Sequence, residues 1–316
     1  MQIRRYTKEQ KQEWDAFVDE SKNGTFLLKR DYMDYHADRF KDCSFLFYDD
    51  KGKLLALLPA NIVEEEERVL YSHQGLTYGG LILSREIQSV QVLESFDVLL
   101  SYLKSSLRVD KLLYKPVPHI YHNYPSEEDL YALFRHKALL RRSLLSSVID
   151  KTDAIPFSRI RNRHIRKANG AGMTISESTD FAAFWEVLNE RLNDKYASRP
   201  VHTLSEITRL HSFFPEQIRL FEARIADEIV GGCVLFVMND LIHIQYSSAT
   251  EKGMEYGALD LLFYHVSYEA FPEKRYVDIG TSNEEDGQVL NTNLIFRKET
   301  CGGRGIVYTM YELEIV

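Results

Sequence analysis

The chain is expected to fold as a mixed α/β protein (α+β mixed sheets) of two lobes, each a mostly antiparallel mixed sheet flanked by helices. Three observations predict it. From Arg219 to Leu313 the pattern runs strand, strand, strand, helix, strand, helix, strand. A hairpin, helix, strand, helix order recurs between Ser44 and His136. At 316 residues the chain is long for one domain and comfortable for two. Asp150 to Pro156 is the natural boundary, dividing a degenerate lobe (1–150) from a second lobe (151–316).

In the first lobe, Lys8 to Val18 reads as a helix with Trp14, Phe17 and Val18 inward, stopped by Asn23-Gly24. Asp31 to Phe40 is a second helix. Ser44–Tyr48 and Lys53–Asn61 flank Asp49-Asp-Lys-Gly, a hairpin loop with its glycine. Glu64 to Glu67 is a solvated turn, since unpaired like charges seek water. Val69–His73 and Gly79–Leu83 bracket the loop Gln74-Gly-Leu-Thr-Tyr78. Tyr71, His73 and Tyr78 there either line a substrate groove or pack between strands, and Tyr78 is the candidate contact. Val90 to Leu107 has amphipathic helical spacing, Lys111 to His119 is a strand ended by its prolines, and Glu127 to His136 is a helix.

Arg141 to Val148 opens the connection as a strand. Phe157 to Asn169 follows as a helix carrying Arg159, Arg161, Arg163, Arg166 and Lys167, ended by Gly170 and Gly172. Such a run is often a solvated face, but arginine forks also match phosphate, which makes Arg159, Arg163 and Arg166 candidate substrate contacts. Asp180 to Leu192 is an amphipathic helix around Phe184, Trp185 and Leu188. The polar stretch from Asn193 to Ile207 reads as irregular. Arg199, His202 and Thr203 within it suit acceptor contacts, and His202 equally suits a helix cap around Thr203 and Glu206.

Arg219–Ile225 and Glu228–Met238 form a hairpin over Ala226-Asp227, and Leu241 to Ser247 adds a third strand. Gly253 and Gly257 then lead into a helix expected to start near Gly257, with Leu259, Leu262, Phe263 and Val266 inward. Glycine lets backbone approach a ligand, and the amides of a first helical turn attract anions, so a diphosphate suits this turn. The same spacing is also that of a plain tight turn. Tyr276 to Gly280 is a short strand, Asp286 to Thr300 a turn into a helix, and Arg304 to Leu313 a closing strand.

That order resembles the acetyltransferase (GNAT) core, and more specifically the two-lobed FemABX-like transferases and their acyl-CoA-dependent relatives. Three stretches carry the resemblance: Gly253 to Ala258, Asp278-Ile-Gly-Thr-Ser-Asn283, and Lys298-Glu-Thr-Cys-Gly302, which is similar to the family's late K-x-x-F-G. It holds over roughly residues 155 to 316 and implies tandem GNAT-like lobes. Cys301 stands where the family usually has Phe, and Glu251-Lys-Gly-Met-Glu-Tyr-Gly-Ala replaces the Q/R-x-x-G-x-G/A of single-domain acetyltransferases. By resemblance, the backbone at Gln245, Tyr246, Ser247 and Ser248 would bind the arm of an acyl-CoA donor, acetyl-CoA first among them, and Gly253, Gly257 and Ala258 its phosphates. Lys298 would stabilise carbonyl charge or a donor phosphate, and Asp278 would orient the acceptor amine or accept its proton.

Composition narrows the function. A hydrophobic fraction of 44% and a charged fraction of 27% are ordinary for a soluble globular protein. A formal net charge of −8 argues against a broad DNA-binding surface. Three scattered cysteines make no disulfide framework or zinc motif, and the ten histidines contain no H-E-x-x-H, so no metal is expected. There is no G-x-S-x-G, which suits direct transfer without a covalent enzyme intermediate. No apolar run approaches the ~20 residues of a transmembrane segment, and Met1-Gln-Ile-Arg-Arg-Tyr6 is followed by no signal-like apolar stretch, so the expected location is cytoplasmic. The expected function is N-acyl transfer to an amine on a small-molecule or nucleotide-linked acceptor, a sugar- or peptide-linked precursor of the cell envelope. Two alternatives are an aminoacyl-tRNA-dependent peptidoglycan transferase and a non-catalytic ligand-binding protein of the same fold.

Overall fold

The computed structural model describes residues 1–196 and 199–315, with side chains outside 192–196. Two compact units result: Met1–Leu144 with Val307–Val316, and Leu145–Ile306.

The first unit contains, in chain order, β1 (Gln2–Arg5), α1 (Lys11–Glu20), α2 (Arg30–Met33), β2 (Phe45–Tyr48) and β3 (Leu54–Leu58). These are followed by β4 (Asn61–Glu64), β5 (Arg68–Tyr71), β6 (Ile82–Leu83), α3 (Ser89–Tyr102), β7 (Lys111–Tyr114) and α4 (Glu128–Arg135). Strands β1, β2, β3 and β6 pair antiparallel in that order, while β5 joins β4 antiparallel and β7 parallel. Phe45, Phe47, Phe96, Leu99 and Leu112 are fully buried between sheet and helix α3. Tyr114 is buried with them and donates to Asp129 Oδ2 at 2.7 Å, where burial pushes the Asp129 carboxyl up to about 6. The helix expected over 31–40 is shorter: α2 ends at Met33 and gives way to a 3-10 turn over Asp34–His36.

The chain continues through β8 (Leu139–Asp150), α5 (Arg159–Gly170), β9 (Met173–Ser178), α6 (Phe181–Tyr196) and α7 (Leu204–Phe213). Next come β10 (Ile218–Ile225), β11 (Glu228–Val237), β12 (Leu241–Ala249), α8 (Glu251–Tyr256) and α9 (Ala258–Tyr264). The last elements are β13 (Tyr276–Thr281), β14 (Asn283–Glu284), β15 (Val289–Leu290), α10 (Thr292–Glu299) and β16 (Arg304–Glu314). In the second unit the strand order is β8-β13-β12-β11-β10-β9, antiparallel except for the parallel pair β12–β13. Helices α5 and α9 close its core with Ile149, Phe221, Cys233, Ile242 and Val277, while Phe184 of α6 packs against Gly232.

Two further differences from the sequence expectation concern helices. Helix α7 begins inside the stretch expected to be irregular, and its start is the cap around Thr203 and Glu206 that was the alternative there: Thr203 Oγ1 accepts the amide of Glu206 at 3.2 Å, and Glu206 reaches back to the Thr203 amide. The helix expected from Gly257 starts instead at Glu251, capped by Thr250 Oγ1 on the Gly253 amide at 3.1 Å. Gly257 is a left-handed joint (φ +86°) between α8 and α9.

Candidate active site

Strands β12 and β13 pair only at Leu241 with Tyr276, Ile242 with Val277, and His243 with Asp278. From Ile244 to Ala249, β12 keeps its ladder to β11 but has no strand on its other side among the described residues. A register shift opposite Val234 and Leu235 leaves Gln245 as an extra residue just beyond the parting. Such bulges re-aim a strand where pairing ends. Residues Gln245 to Ser248 therefore line one arm of a fork with outward-facing backbone groups, and His243 and Asp278 sit at its base.

Asp278 is fully buried. An ionised carboxyl there needs partners, because desolvation disfavours the charge. They include His243 Nδ1 at 2.9 Å from Oδ2, the Gly280 amide at 2.9 Å from Oδ1, and the Ser146 hydroxyl, which donates to Oδ1. A carboxylate only accepts, so the contact assigns the imidazole proton to Nδ1 and makes Nε2 the basic nitrogen.

Lys298 reaches the same place from α10. Only 8% exposed, its ammonium donates to the carbonyls of Gly280 at 2.8 Å and Thr281 at 2.7 Å. Burial lowers its pKa to about 8, with the Asp278 charge opposing that shift. Gly280 lies between the two groups in the left-handed region (φ +83°): a β-carbon there would stand 3.8 Å from His243 Cε1 and 4.0 Å from Lys298 Nζ. The missing side chain thus leaves a space bordered by both an imidazole and an ammonium. Helix α10 is held by Asn291, whose side chain accepts the Leu294 amide at 2.9 Å, and by Gly302, where a β-carbon would come within 2.3 Å of the Ile155 carbonyl. Cys301 is buried beside it, its thiol pushed up to about 12.

The other candidates fall into three groups. Along the fork, the Tyr246 hydroxyl accepts the His202 amide at 3.1 Å and lies 2.6 Å from His202 Nδ1, with Trp185 edge-on to its ring at 5.3 Å. Ser248 donates to the Val187 carbonyl at 3.3 Å, and His202 is buried whereas Arg199 is exposed. On α5, Arg159, Arg163 and Arg166 are exposed along one helical face, but Arg161 turns inward. Arg161 Nη1 and His164 Nδ1 each lie 2.7 Å from a carboxyl oxygen of Asp260, and Arg161 Nε donates to Thr300 Oγ1 at 2.9 Å. Gly253 and Gly257 have packing reasons to be glycine: a β-carbon would lie 1.9 Å from the Val230 carbonyl at the first and 2.9 Å from the His164 backbone at the second. Ala258 is buried behind that joint.

Gly257→Ala is accordingly expected to destabilise the fold by about 1–3 kcal/mol, because it adds left-handed strain and a clash with α5. Urea denaturation followed by circular dichroism measures it; an unchanged midpoint would show that α5 can shift at no cost.

Tyr78 belongs to the first unit, where it is buried, donates to Thr25 Oγ1 at 3.0 Å and packs 4.7 Å from the Tyr121 ring. Beside its loop, His73 is buried in a left-handed conformation (φ +69°) with Nδ1 unpartnered, stacked 5.2 Å from His36. Lys115 is buried too and donates to the carbonyls of Leu76 at 2.5 Å and Gln74 at 3.5 Å. Burial, helped by Arg142, depresses its pKa to about 7. A lysine depressed in the folded state binds fewer protons than in the unfolded chain between its two pKa values, so stability rises with pH across that window. Unfolding free energy is expected to climb from pH 7 to about 8.5, before the thiols of the unfolded chain ionise. Lys115→Met should reduce that climb in denaturation series to the part that Lys298 contributes, and an equal slope in both proteins would show that Lys115 does not cause it.

Sequence reasoning did not single out His243, Ser146 or Gly280. His243 reads only as a polar residue in an apolar strand; its meaning comes from lying opposite Asp278 in the parallel register, 35 residues away.

A family model described as an acetyltransferase (GNAT) domain matches residues 158–286, which contain β12, α8, α9 and β13. No curated protein sequence matches the chain. Among solved structures, FemX aligns with 99% of this chain and 97% of its own at 12% identity and a TM-score of 0.72. The C-terminal domain of a putative lysylphosphatidylglycerol synthetase from Agrobacterium fabrum aligns over 98% and 93% at 8% identity, TM-score 0.60. A tandem GNAT protein from the clavulanic acid biosynthesis pathway aligns over 100% and 98% at 10% identity, TM-score 0.51. At these identities the structural likeness is one of fold. Residues 158–286 thus match an acetyltransferase (GNAT) domain in sequence, and the chain as a whole has the fold of FemX and of the tandem GNAT protein.

Proposed function

We propose that the protein transfers an acyl group from acyl-CoA to an amine on a sugar- or peptide-linked envelope precursor, with chemistry centred on His243, Asp278 and Lys298. The observation that carries this reading is the pairing of His243 with the fully buried Asp278 at the base of the parting strands, with the Lys298 ammonium across Gly280. His243 Nε2 takes the proton from the attacking amine as the C–N bond forms and returns it to the coenzyme A thiolate as the C–S bond breaks, and Asp278 holds the ring in the tautomer that can accept it. Lys298 faces the negative charge that develops on the carbonyl oxygen, in a place where burial strengthens its field. The bulged arm from Gln245 to Ser248 offers backbone groups to the donor's amide-bearing arm, and the first turn of α8 offers the amides of Glu251 and Lys252 to its phosphates. Arg159, Arg163, Arg166, Arg199, His202 and Tyr78 remain acceptor candidates in this reading, the arginines through phosphate groups.

A second donor class is favoured by the fold shared with FemX and with the lysylphosphatidylglycerol synthetase, whose name states an aminoacylated lipid product. An aminoacyl-tRNA donor would present an ester to the same base and ammonium. Thermal-shift screening with acetyl-CoA, longer acyl-CoAs, aminoacyl-tRNA and nucleotide sugars separates the two. A ligand at about 100 times its Kd stabilises by about 2.7 kcal/mol. A shift with acyl-CoA followed by thiol release on adding an amine acceptor supports the first reading. A shift with aminoacyl-tRNA alone replaces it with the second, and binding without turnover of any donor would leave a binding protein.

A further inference from the structure

In the first unit, α4 and the start of β8 hold large apolar side chains in solvent: Tyr131 is 52% exposed, Phe134 75%, Leu139 67% and Leu140 57%. The inner side of α4 already supplies Ala132 and Leu133 to the core. Tyr131 and Phe134 therefore form a second, outward apolar face, their rings stacked 6.5 Å apart. Leu139 and Leu140 are consecutive strand residues, whose side chains leave on opposite sides. Since both are exposed, this strand end projects beyond the cover of either face. Lys137, at φ +60°, makes the tight turn that sets helix end and strand start side by side.

Cations are interleaved with these side chains. Arg135, Lys137 and Arg141 are all exposed; Arg141 faces Glu312 at 3.7 Å, and Arg135 and Lys137 have no ion pair among the described residues. An apolar projection ringed by basic groups matches an interface with acyl chains below and phosphates above. We propose that the tip from Tyr131 to Arg141 docks the protein on an anionic phospholipid bilayer, with Tyr131, Phe134, Leu139 and Leu140 entering the interface. With a net charge of −8, the chain as a whole is repelled by such a surface, so attachment needs a local basic and apolar device of this kind. A polyanion such as RNA would use the cations but give no reason for four exposed apolar side chains in ten residues. The proposal is independent of the transferase reading.

Vesicle flotation of the full chain tests it. The wild type is expected to float with phosphatidylglycerol-rich vesicles, with about tenfold less bound to phosphatidylcholine alone, and to release as salt rises. Phe134→Ser with Leu139→Ser should cut binding to phosphatidylglycerol vesicles by about tenfold or more. Arg135→Glu with Lys137→Glu should remove the preference for the anionic lipid. All four positions are exposed, and thermal melts confirm that the variants fold. Absence of flotation, or equal flotation of wild type and serine variant, overturns the proposal. So does a concentration-dependent dimer in sedimentation that the serine pair abolishes, which would assign the tip to a second copy of the chain.

Discussion

Asp278→Asn is expected to lower kcat by about 10²- to 10⁴-fold with little change in KM for the donor. The carboxylate is fully buried and spends its oxygens on His243, Gly280 and Ser146, so it meets no substrate directly. In the proposed mechanism its role is to fix the imidazole. An asparagine in its place can present an N–H to His243 Nδ1, which would then have to be the unprotonated nitrogen, and the proton would sit on Nε2, where the base is needed. The loss therefore falls on the chemical step. His243→Gln should lose a similar factor, and the double variant should lose little more than either alone, because the two residues act as a unit. Thiol release from acyl-CoA reads the rate cleanly, since Cys43, Cys233 and Cys301 are all buried and burial raises each thiol's pKa. Wild-type kcat in Asp278→Asn, with folding confirmed by circular dichroism, would remove the pair from the mechanism.

Much of the fold was legible because local chemistry and global fold agree. Ile218–Ile225 and Glu228–Val237, rich in β-branched and aromatic residues on either side of Ala226-Asp227, pair as the hairpin expected of them, and Asp49-Asp-Lys-Gly52 closes another, with Gly52 at φ +82°. Lys298 and Asp278 become candidates in the sequence through a family pattern, not through their surroundings. What escaped the sequence depends on register and on long-range packing. His243 becomes notable only once β12 and β13 lie parallel and stop pairing there. Gly257 looked like the start of a helix because glycine often precedes one, whereas its actual constraint is the backbone of His164, 93 residues earlier in the chain and packed against it. The start of helix α7 was visible only as one of two readings, a cap around Thr203 and Glu206, because the approach to it is polar. On the basic helix Arg159, Arg163 and Arg166, the three arginines chosen from the sequence, face water, whereas Arg161 is drawn inward by Asp260.

Lys298→Ala is expected to cost about 10²- to 10³-fold in kcat, the usual loss when one donor to a developing oxyanion is removed. Two of its N–H groups are held by the Gly280 and Thr281 carbonyls, which fix the ammonium beside the space left by the absent Gly280 side chain. A neutral carbonyl gains little from that charge and an oxyanion gains much, so kcat should fall more than KM rises. The pH profile distinguishes this role from a structural one. With its pKa lowered to about 8 by burial, Lys298 carries its charge below that pH and loses it above. The rate of the wild type should therefore decline as pH rises through about 8, and the residual rate of Lys298→Ala should lack that decline. Removing the side chain also leaves two carbonyls short of a donor, which costs about 1–3 kcal/mol of stability wherever water cannot reach them. A lysine that served only to satisfy those carbonyls would show the lower melting temperature while keeping both kcat and the alkaline limb, and that outcome would assign charge stabilisation to another group.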